Sequence, residues 1–273
     1  MRLHGLTVVK NEADFIERAL RYSVRFFDGI YIFDNASTDG TWEIVRRVAH
    51  ELPQVVAWKS DDRDFNDGIR GEVFNVFSDR AECGDWWCRL DADEIYLADP
   101  RLFLRRVPAY CHVVWSVHLQ FYFTELDEVR WASGAPVPAE DFSDMPRHYL
   151  ANNSEPRWFR HRPGLQWGPI AGWPDHLGLV YRQRLPLKHF QWRSPQQMQV
   201  RLDTRHEAIR RGYKNFPHNV ARHWGEVVRD SSTLHEDDGS GDYVVDPAAL
   251  QQHLERPWRR ALKRFMHGSG LWP

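Results

Sequence analysis

With 273 residues, 42% apolar and 14% aromatic content, the chain can bury one sizeable core, or one core plus a subdomain, and disorder is expected only locally. A formal net charge of -2 excludes a nucleic-acid binder that works through overall charge. Cys83, Cys88 and Cys111 are too few, and wrongly spaced, for a disulfide framework or a structural zinc site, so a reducing compartment fits.

Leu3 to Val9 is a short β-rich run that Lys10-Asn11-Glu12 breaks, after which Phe15, Ala19, Leu20, Val24 and Phe27 recur at helical spacing. Gly29 to Phe33 is again strand-like and stops at Asp34-Asn35-Ala36-Ser37-Thr38-Asp39-Gly40-Thr41, which is turn and N-cap chemistry. Trp42, Val45, Val48 and Ala49 mark a second helix, and Gln54 to Trp58 a third strand ending in Asp61-Asp62-Arg63-Asp64. A helix through Phe74, Phe77 and Ala81 leads into Trp86-Trp87-Cys88-Arg89-Leu90, a buried strand that ends in Asp91-Ala92-Asp93-Glu94. Strand and helix alternate with short connections, so residues 1–95 read as a parallel sheet wound with helices. No Gly-x-Gly-x-x-Gly follows the first strand and no Gly-x-x-x-x-Gly-Lys-Ser/Thr occurs, which removes most support for dinucleotide and P-loop readings.

Beyond Asp99 the pattern changes to a short helix near Leu102 to Val107 and a long β-rich run from Cys111 to Thr124. Glu125 to Pro156 has prolines, glycine and acids with weak periodicity and reads as loops and short elements. Residues 147–211 hold eleven arginines and Lys188 against Glu155, Asp175, Asp203 and Glu207. That concentration is either a surface facing a phosphate-bearing ligand or a solvated basic face. Ser194 and Pro195 open a helix expected to run to Arg211. Residues 226–242 are polar, acidic and Gly/Ser-containing, as in a mobile linker. After Pro257, Trp258, Ala261, Leu262, Phe265 and Met266 alternate with Arg259, Arg260, Lys263 and Arg264 as a basic amphipathic helix. Such a helix either lies on an anionic membrane surface through residues 257–266 or docks its apolar face on the body, and docking is the expectation. No run approaches the length needed to span a bilayer and the N-terminus lacks an apolar leader. The expected location is the cytoplasm or the inner face of its membrane.

The carboxylates after Leu90 carry the chemistry. The carboxyl ends of strands in open α/β sheets face the ligand crevice. There Asp-x-Asp offers hard oxygens to Mg²⁺ or Mn²⁺, and the bland alternative is a solvated turn. The thirteen Trp suit stacking on sugars as well as core filling, with core filling the larger share.

Three features lie in order: Val9-Lys10-Asn11-Glu12-Ala13 after the first strand, Asp34 to Thr41 after the second, and Leu90-Asp91-Ala92-Asp93-Glu94 after the fourth. Together they resemble the family 2-like glycosyltransferases of the GT-A fold. Leu187-Lys188-His189-Phe190-Gln191-Trp192-Arg193-Ser194 is similar to the His-aromatic-x-x-Arg-Ser segment of bacterial members. The resemblance implies a GT-A type Rossmann-like mixed sheet flanked by helices, as one catalytic domain over 1–225 with halves 1–95 and 96–225. Residues 226–273 would be the linker and amphipathic helix. It also implies a nucleotide-diphosphate sugar as donor, UDP-sugar favoured, with Mn²⁺ or Mg²⁺; a fold-level resemblance carries no acceptor identity, and a saccharide is the expected acceptor. By position, Val9, Asn11, Glu12, Asp34, Asn35, Asp91 and Ala92 would hold the nucleotide, with Arg70, or second Arg80, on the donor. Asp91, Asp93 and His189 would hold the metal; the alternative for His189 is a hydrogen-bonded core histidine.

An inverting transfer needs a base on the acceptor hydroxyl. Asp175, in Gly172-Trp173-Pro174-Asp175-His176, is the first choice, with Glu155 and His176 in reserve; a structural turn is the competing role. Trp167 and Trp173 are placed to stack on an acceptor sugar or to pack in the core. Two other classes stay open: a non-catalytic carbohydrate-binding protein on the same scaffold, and a metal-dependent nucleotidyltransferase using the same acids. No nucleic-acid partner is expected.

Overall fold

The computed structural model describes residues 1–134, 136–212 and 221–273, so residues 213–220 of the expected 96–225 half lie outside the described residues. The elements of the first half are β1 (Leu3–Val9), α1 (Ile16–Ser23), β2 (Gly29–Asp34), α2 (Thr41–Glu51), β3 (Val55–Ser60), α3 (Ile69–Phe77) and β4 (Trp86–Arg89). The second half holds β5 (Glu94–Tyr96), α4 (Pro100–Leu104), β6 (Cys111–Tyr122), α5 (Glu125–Ala132), β7 (His148–Arg160), β8 (Leu179–Val180), β9 (Leu185–His189) and α6 (Pro195–Arg210). β10 (His235–Glu236) and α7 (Pro257–Gly268) follow.

Among the described residues all ten strands join one mixed sheet whose main order is β3-β2-β1-β4-β7-β6-β9-β5. The four strands expected to run parallel do so, β2 and β4 flanking β1 and β3 at the edge. Successive side chains of a strand point to opposite faces, and the two buried layers follow that rule. Ile30, Ile32, Trp86 and Cys88 pack with α1 and α2 on one face, while Tyr31, Phe33 and Trp87 pack with α3 on the other. Trp86, Trp87 and Trp158 are wholly buried, so these three fill the core.

The second half departs from the sequence expectation in three places. The stretch 125–156, read as loops and short elements, contains the two-turn helix α5 and most of the long strand β7. Thr124 and Asp127 form a capping box at α5, and β7 pairs antiparallel with both β4 and β6. Pro156, which argues against a central strand, stands opposite Trp115 where the β6–β7 register shifts; a bulge tolerates a residue without an N–H. The stretch 226–242, read as a linker, contributes β10 to the edge of β7, and Lys188 donates to Asp237 at 2.5 Å. Short polar ladders of this kind leave little hydrophobic periodicity to read.

The third departure is α7, which turns its polar side inward. Lys263 Nζ donates to the Gly178 carbonyl at 3.1 Å and Arg260 Nη1 to that of Val180 at 3.3 Å, while Trp258, Leu262 and Phe265 face outward. Buried carbonyls at the ends of β8 need donors, and the long basic side chains of the helix supply them. No described helix is long and apolar enough to cross a membrane.

Candidate functional site

The loops after β1 and β2 are cross-linked to each other by hydrogen bonds. Lys10 Nζ donates to the Asn35 carbonyl at 2.6 Å, Asn11 N–H to Ser37 Oγ at 2.9 Å, Glu12 N–H to Thr41 Oγ1 at 2.8 Å and Ala13 N–H to Asp39 at 3.0 Å. Asn11 and Ala36 hold positive φ of 55° and 52° at the crowns of the two loops. Asn11 also donates to Thr204 of α6 at 3.2 Å. Arg193, buried at the start of α6, grips Asp14 at 2.8 and 2.9 Å and Glu12 at 2.5 Å. The His-aromatic-x-x-Arg-Ser segment is thereby tied to the first loop.

Between these loops, α3, β4 and α6 lies one cleft made of two adjoining cavities of about 350 and 500 Å³, which share Val8, Val9, Lys10, Phe65, Thr204 and Arg205. Asn35 lines the smaller cavity; Asn11, Glu12, Arg70, Asp91, Ala92, Asp93 and His189 line the larger, and Val9 lines both. The volumes suit a small-molecule ligand. Asp34 stands apart. Its carboxylate is fully buried and accepts from Ser37 N–H at 3.0 Å and Ser60 Oγ at 2.7 Å, so it anchors the turn while Asn35 faces the cleft. Arg80 is exposed and stacks on Tyr31 and Phe77, whereas Arg70 is buried and donates to Asp91.

Strand pairing assembles the acidic centre. β5 runs antiparallel to β9 with Glu94 opposite His189, and the Phe190 N–H donates to the Asp93 carbonyl at 2.9 Å. His189 Nε2 therefore lies 3.2 Å from Asp93 Oδ2, although the two are 96 positions apart. Three arginines close around the acids. Arg157 Nη2 donates to Asp91 at 3.0 Å and also to Glu94; Arg201 Nη1 donates to Asp93 at 2.8 Å and Glu12 at 3.2 Å; Arg70 holds the other oxygen of Asp91.

The charges follow. Desolvation pushes the Asp91 carboxyl up, but Arg157 and Arg70 outweigh it and hold the group below the usual carboxylate range. Asp93 is likewise held well below, burial being outweighed by His189 and Arg201. Burial opposes protonation of His189, yet Asp93 raises its pKa. Glu94 behaves differently: burial dominates over Arg157 and pushes it up to about 7.

The donor set fits a divalent cation. Asp93 and His189 offer a hard oxygen and an imidazole nitrogen side by side, a pairing that suits Mn²⁺. Among the described residues, donor atoms of Glu94, His118 and His189 lie within 4.8 Å of one another. His118 Nε2 and His189 Nδ1 are buried without hydrogen-bond partners. A cation held between Asp93 and His189 Nε2 would displace the proton that these two atoms share.

Asp175 is exposed on a turn and does not line the cleft, nor does His176. Glu155 of β7 does, half-buried, 3.2 Å from Arg157. Trp167 packs in the core against Phe74 and Phe159, while the half-buried Trp173 stacks on it and carries Arg89 4.8 Å above its ring. Sequence reasoning did not single out Arg157, Arg201 and Arg205. Their signal was the arginine concentration over 147–211, four members of which, these three and Arg211, line the cleft.

No protein-family model and no curated protein matches the chain. Solved structures similar to it include the mannosyltransferase PcManGT from Pyrobaculum calidifontis in complex with GDP-Man and Mn²⁺, at 16% identity and TM-score 0.42 over 78% of this chain. This chain spans 65% of that one. S. aureus TarS in complex with UDP is 21% identical, with TM-score 0.31, over 53% of this chain and 40% of that one. Mannosyl-3-phosphoglycerate synthase from Rubrobacter xylanophilus is 11% identical, with TM-score 0.37, over 81% and 78%. Likenesses this distant assign neither donor nor acceptor.

Proposed function

We propose that the chain is a metal-dependent, inverting glycosyltransferase that moves a sugar from a nucleoside diphosphate to a hydroxyl of a saccharide acceptor, with a UDP-sugar the favoured donor. The observation that carries this reading is the meeting of Asp93 and His189 at 3.2 Å inside a cleft ringed by Arg70, Arg157 and Arg201. Hard oxygens, an imidazole and guanidinium groups at the carboxyl ends of parallel strands are what a diphosphate and its cation require.

Val9 and Asn35 line the end of the cleft that takes the nucleoside. Asn11 and Glu12 hold the first loop in place through Thr204, Arg193 and Arg201. Asp93 and His189 would ligate Mn²⁺ or Mg²⁺, with Asp91 beside them, and the cation would supply Lewis-acid stabilisation of the departing diphosphate. Lys10, Arg201 and Arg205 add fixed positive charge where the leaving group gains negative charge. In the transfer the acceptor oxygen bonds to the anomeric carbon, the bond from that carbon to the phosphate oxygen breaks, and its electron pair leaves with the nucleoside diphosphate. The acceptor proton passes to a carboxylate. Glu155 takes that role in place of Asp175, because it lines the cleft and Asp175 does not.

The test is a thermal-shift panel of UDP, GDP, CDP, dTDP and ADP, with and without Mn²⁺, on the wild type and Asp93→Ala. A ligand at 100 times its Kd adds roughly 2.7 kcal/mol to a folded state that alone binds it. Stabilisation by one nucleotide that needs metal and is lost in Asp93→Ala is the expected result. A null panel with sugar binding intact would favour a carbohydrate-binding protein. Release of pyrophosphate in place of a nucleoside diphosphate would mark a nucleotidyltransferase.

A further inference from the structure

We infer that α7 is a membrane-surface helix that seats the protein on a bilayer rich in anionic lipid. At about 100° per residue, Arg260, Lys263 and His267 share one side of the helix, and all three face the body. Arg260 reaches the Val180 carbonyl and Lys263 that of Gly178, both also reach Glu255, at 3.4 and 2.9 Å, and His267 Nδ1 accepts from Arg162 at 2.6 Å. Trp258, Leu262 and Phe265 share the opposite side, 59, 46 and 64% exposed, and Leu271 beyond the helix is 64% exposed.

The edges of that apolar stripe are charged with one sign. Arg259 and Arg264 flank it on its two long sides and are exposed. Arg259 stacks on Trp258 at 5.2 Å, and Arg264 on Tyr110 of the body, itself half exposed, at 5.0 Å. The helix has no acidic residue, and Glu255 just before it is engaged by Arg260 and Lys263.

An isolated surface helix ordinarily buries its apolar face. Here polar anchors hold that face outward, which fits an in-plane helix with its apolar stripe among acyl chains and its arginines at headgroup level. Charge selects the occupant. A second copy meeting the stripe about a twofold axis would set arginine edges against arginine edges, whereas anionic headgroups neutralise both.

The experiment is co-sedimentation of the full chain with vesicles of phosphatidylglycerol and phosphatidylcholine, and of phosphatidylcholine alone, beside analytical ultracentrifugation without lipid. Binding to the anionic vesicles is expected, weakened roughly thirtyfold in Arg259→Gln/Arg264→Gln and lost in Trp258→Ser/Phe265→Ser, with unchanged thermal unfolding midpoints because these side chains are exposed. Absence of binding, equal binding to phosphatidylcholine alone, or a wild-type dimer that the serine variant splits would each overturn the inference; the last would make a second copy the occupant. None of these readouts depends on catalysis, so the helix and the cleft are tested separately.

Discussion

Arg157 Nη2 lies 3.0 Å from Asp91 Oδ2, and this contact joins β7 to the carboxylate turn after β4 across the centre of the sheet. Arg157 is buried and also serves Glu94 and Glu155. Removing one partner of a buried ion pair leaves the others uncompensated. Arg157→Leu should therefore cost about 3–5 kcal/mol of stability, read from urea unfolding. By contrast Glu17→Gln, in the exposed network with Arg21 and Arg47, should cost no more than about 1 kcal/mol.

Arg193 is a fork that fits two acids at once, and lysine offers no fork. Arg193→Lys should loosen the loop that carries Asn11 and Glu12, raising the KM for the nucleotide sugar more than it lowers kcat. Steady-state kinetics with varied donor check this split; an unchanged KM would detach the loop from donor binding.

The acid that receives the acceptor proton can be identified by paired substitutions. Glu155→Gln should lower kcat by roughly 10²–10⁴-fold, and Asp175→Asn should leave it near the wild-type value. The reverse pattern would restore Asp175 as the base.

Gly68 and Gly71 allow the 165–173 loop to lie directly on α3. A Cβ on Gly68 would stand 1.8 Å from the Pro169 carbonyl oxygen, and one on Gly71 would stand 2.6 Å from the Trp167 ring. Gly68→Ala should destabilise by about 3 kcal/mol through overpacking. Gly168→Ala, whose Cβ would find its nearest neighbour at 3.8 Å, is the tolerated control in the same unfolding assay.

Two buried histidines make the fold sensitive to acid. Burial outweighs the attraction of Asp85 and lowers the His4 pKa to about 4, and burial with Arg162 nearby lowers that of His112 to about 3. The unfolded chain, with ordinary histidines, binds protons first as pH falls below about 6.5. Their contribution is thus complete above that pH and is lost down to about 4 and 3 respectively, by up to roughly 1.4 kcal/mol per pH unit for each. Urea midpoints at neutral and mildly acidic pH should converge less in wild type than in His112→Leu; parallel pH slopes would refute the assignment.

The β1 to β4 half was legible because its strands are short apolar runs punctuated by turn chemistry, and both period and punctuation are local properties. The same locality exposed Asp91, Asp93 and the His189 segment as candidates. Their encounter was not local: Asp93 meets His189 only because β5 pairs with β9, and register depends on partners distant in sequence. β7 escaped notice because a strand with Asn152, Asn153 and Pro156 has little strand propensity of its own and is held by β4 and β6. The arginines that neutralise the acids, the burial of Asp34 away from the cleft and the outward face of α7 were decided likewise. A side chain's composition can be read along the chain, but the direction it faces is settled by what packs behind it.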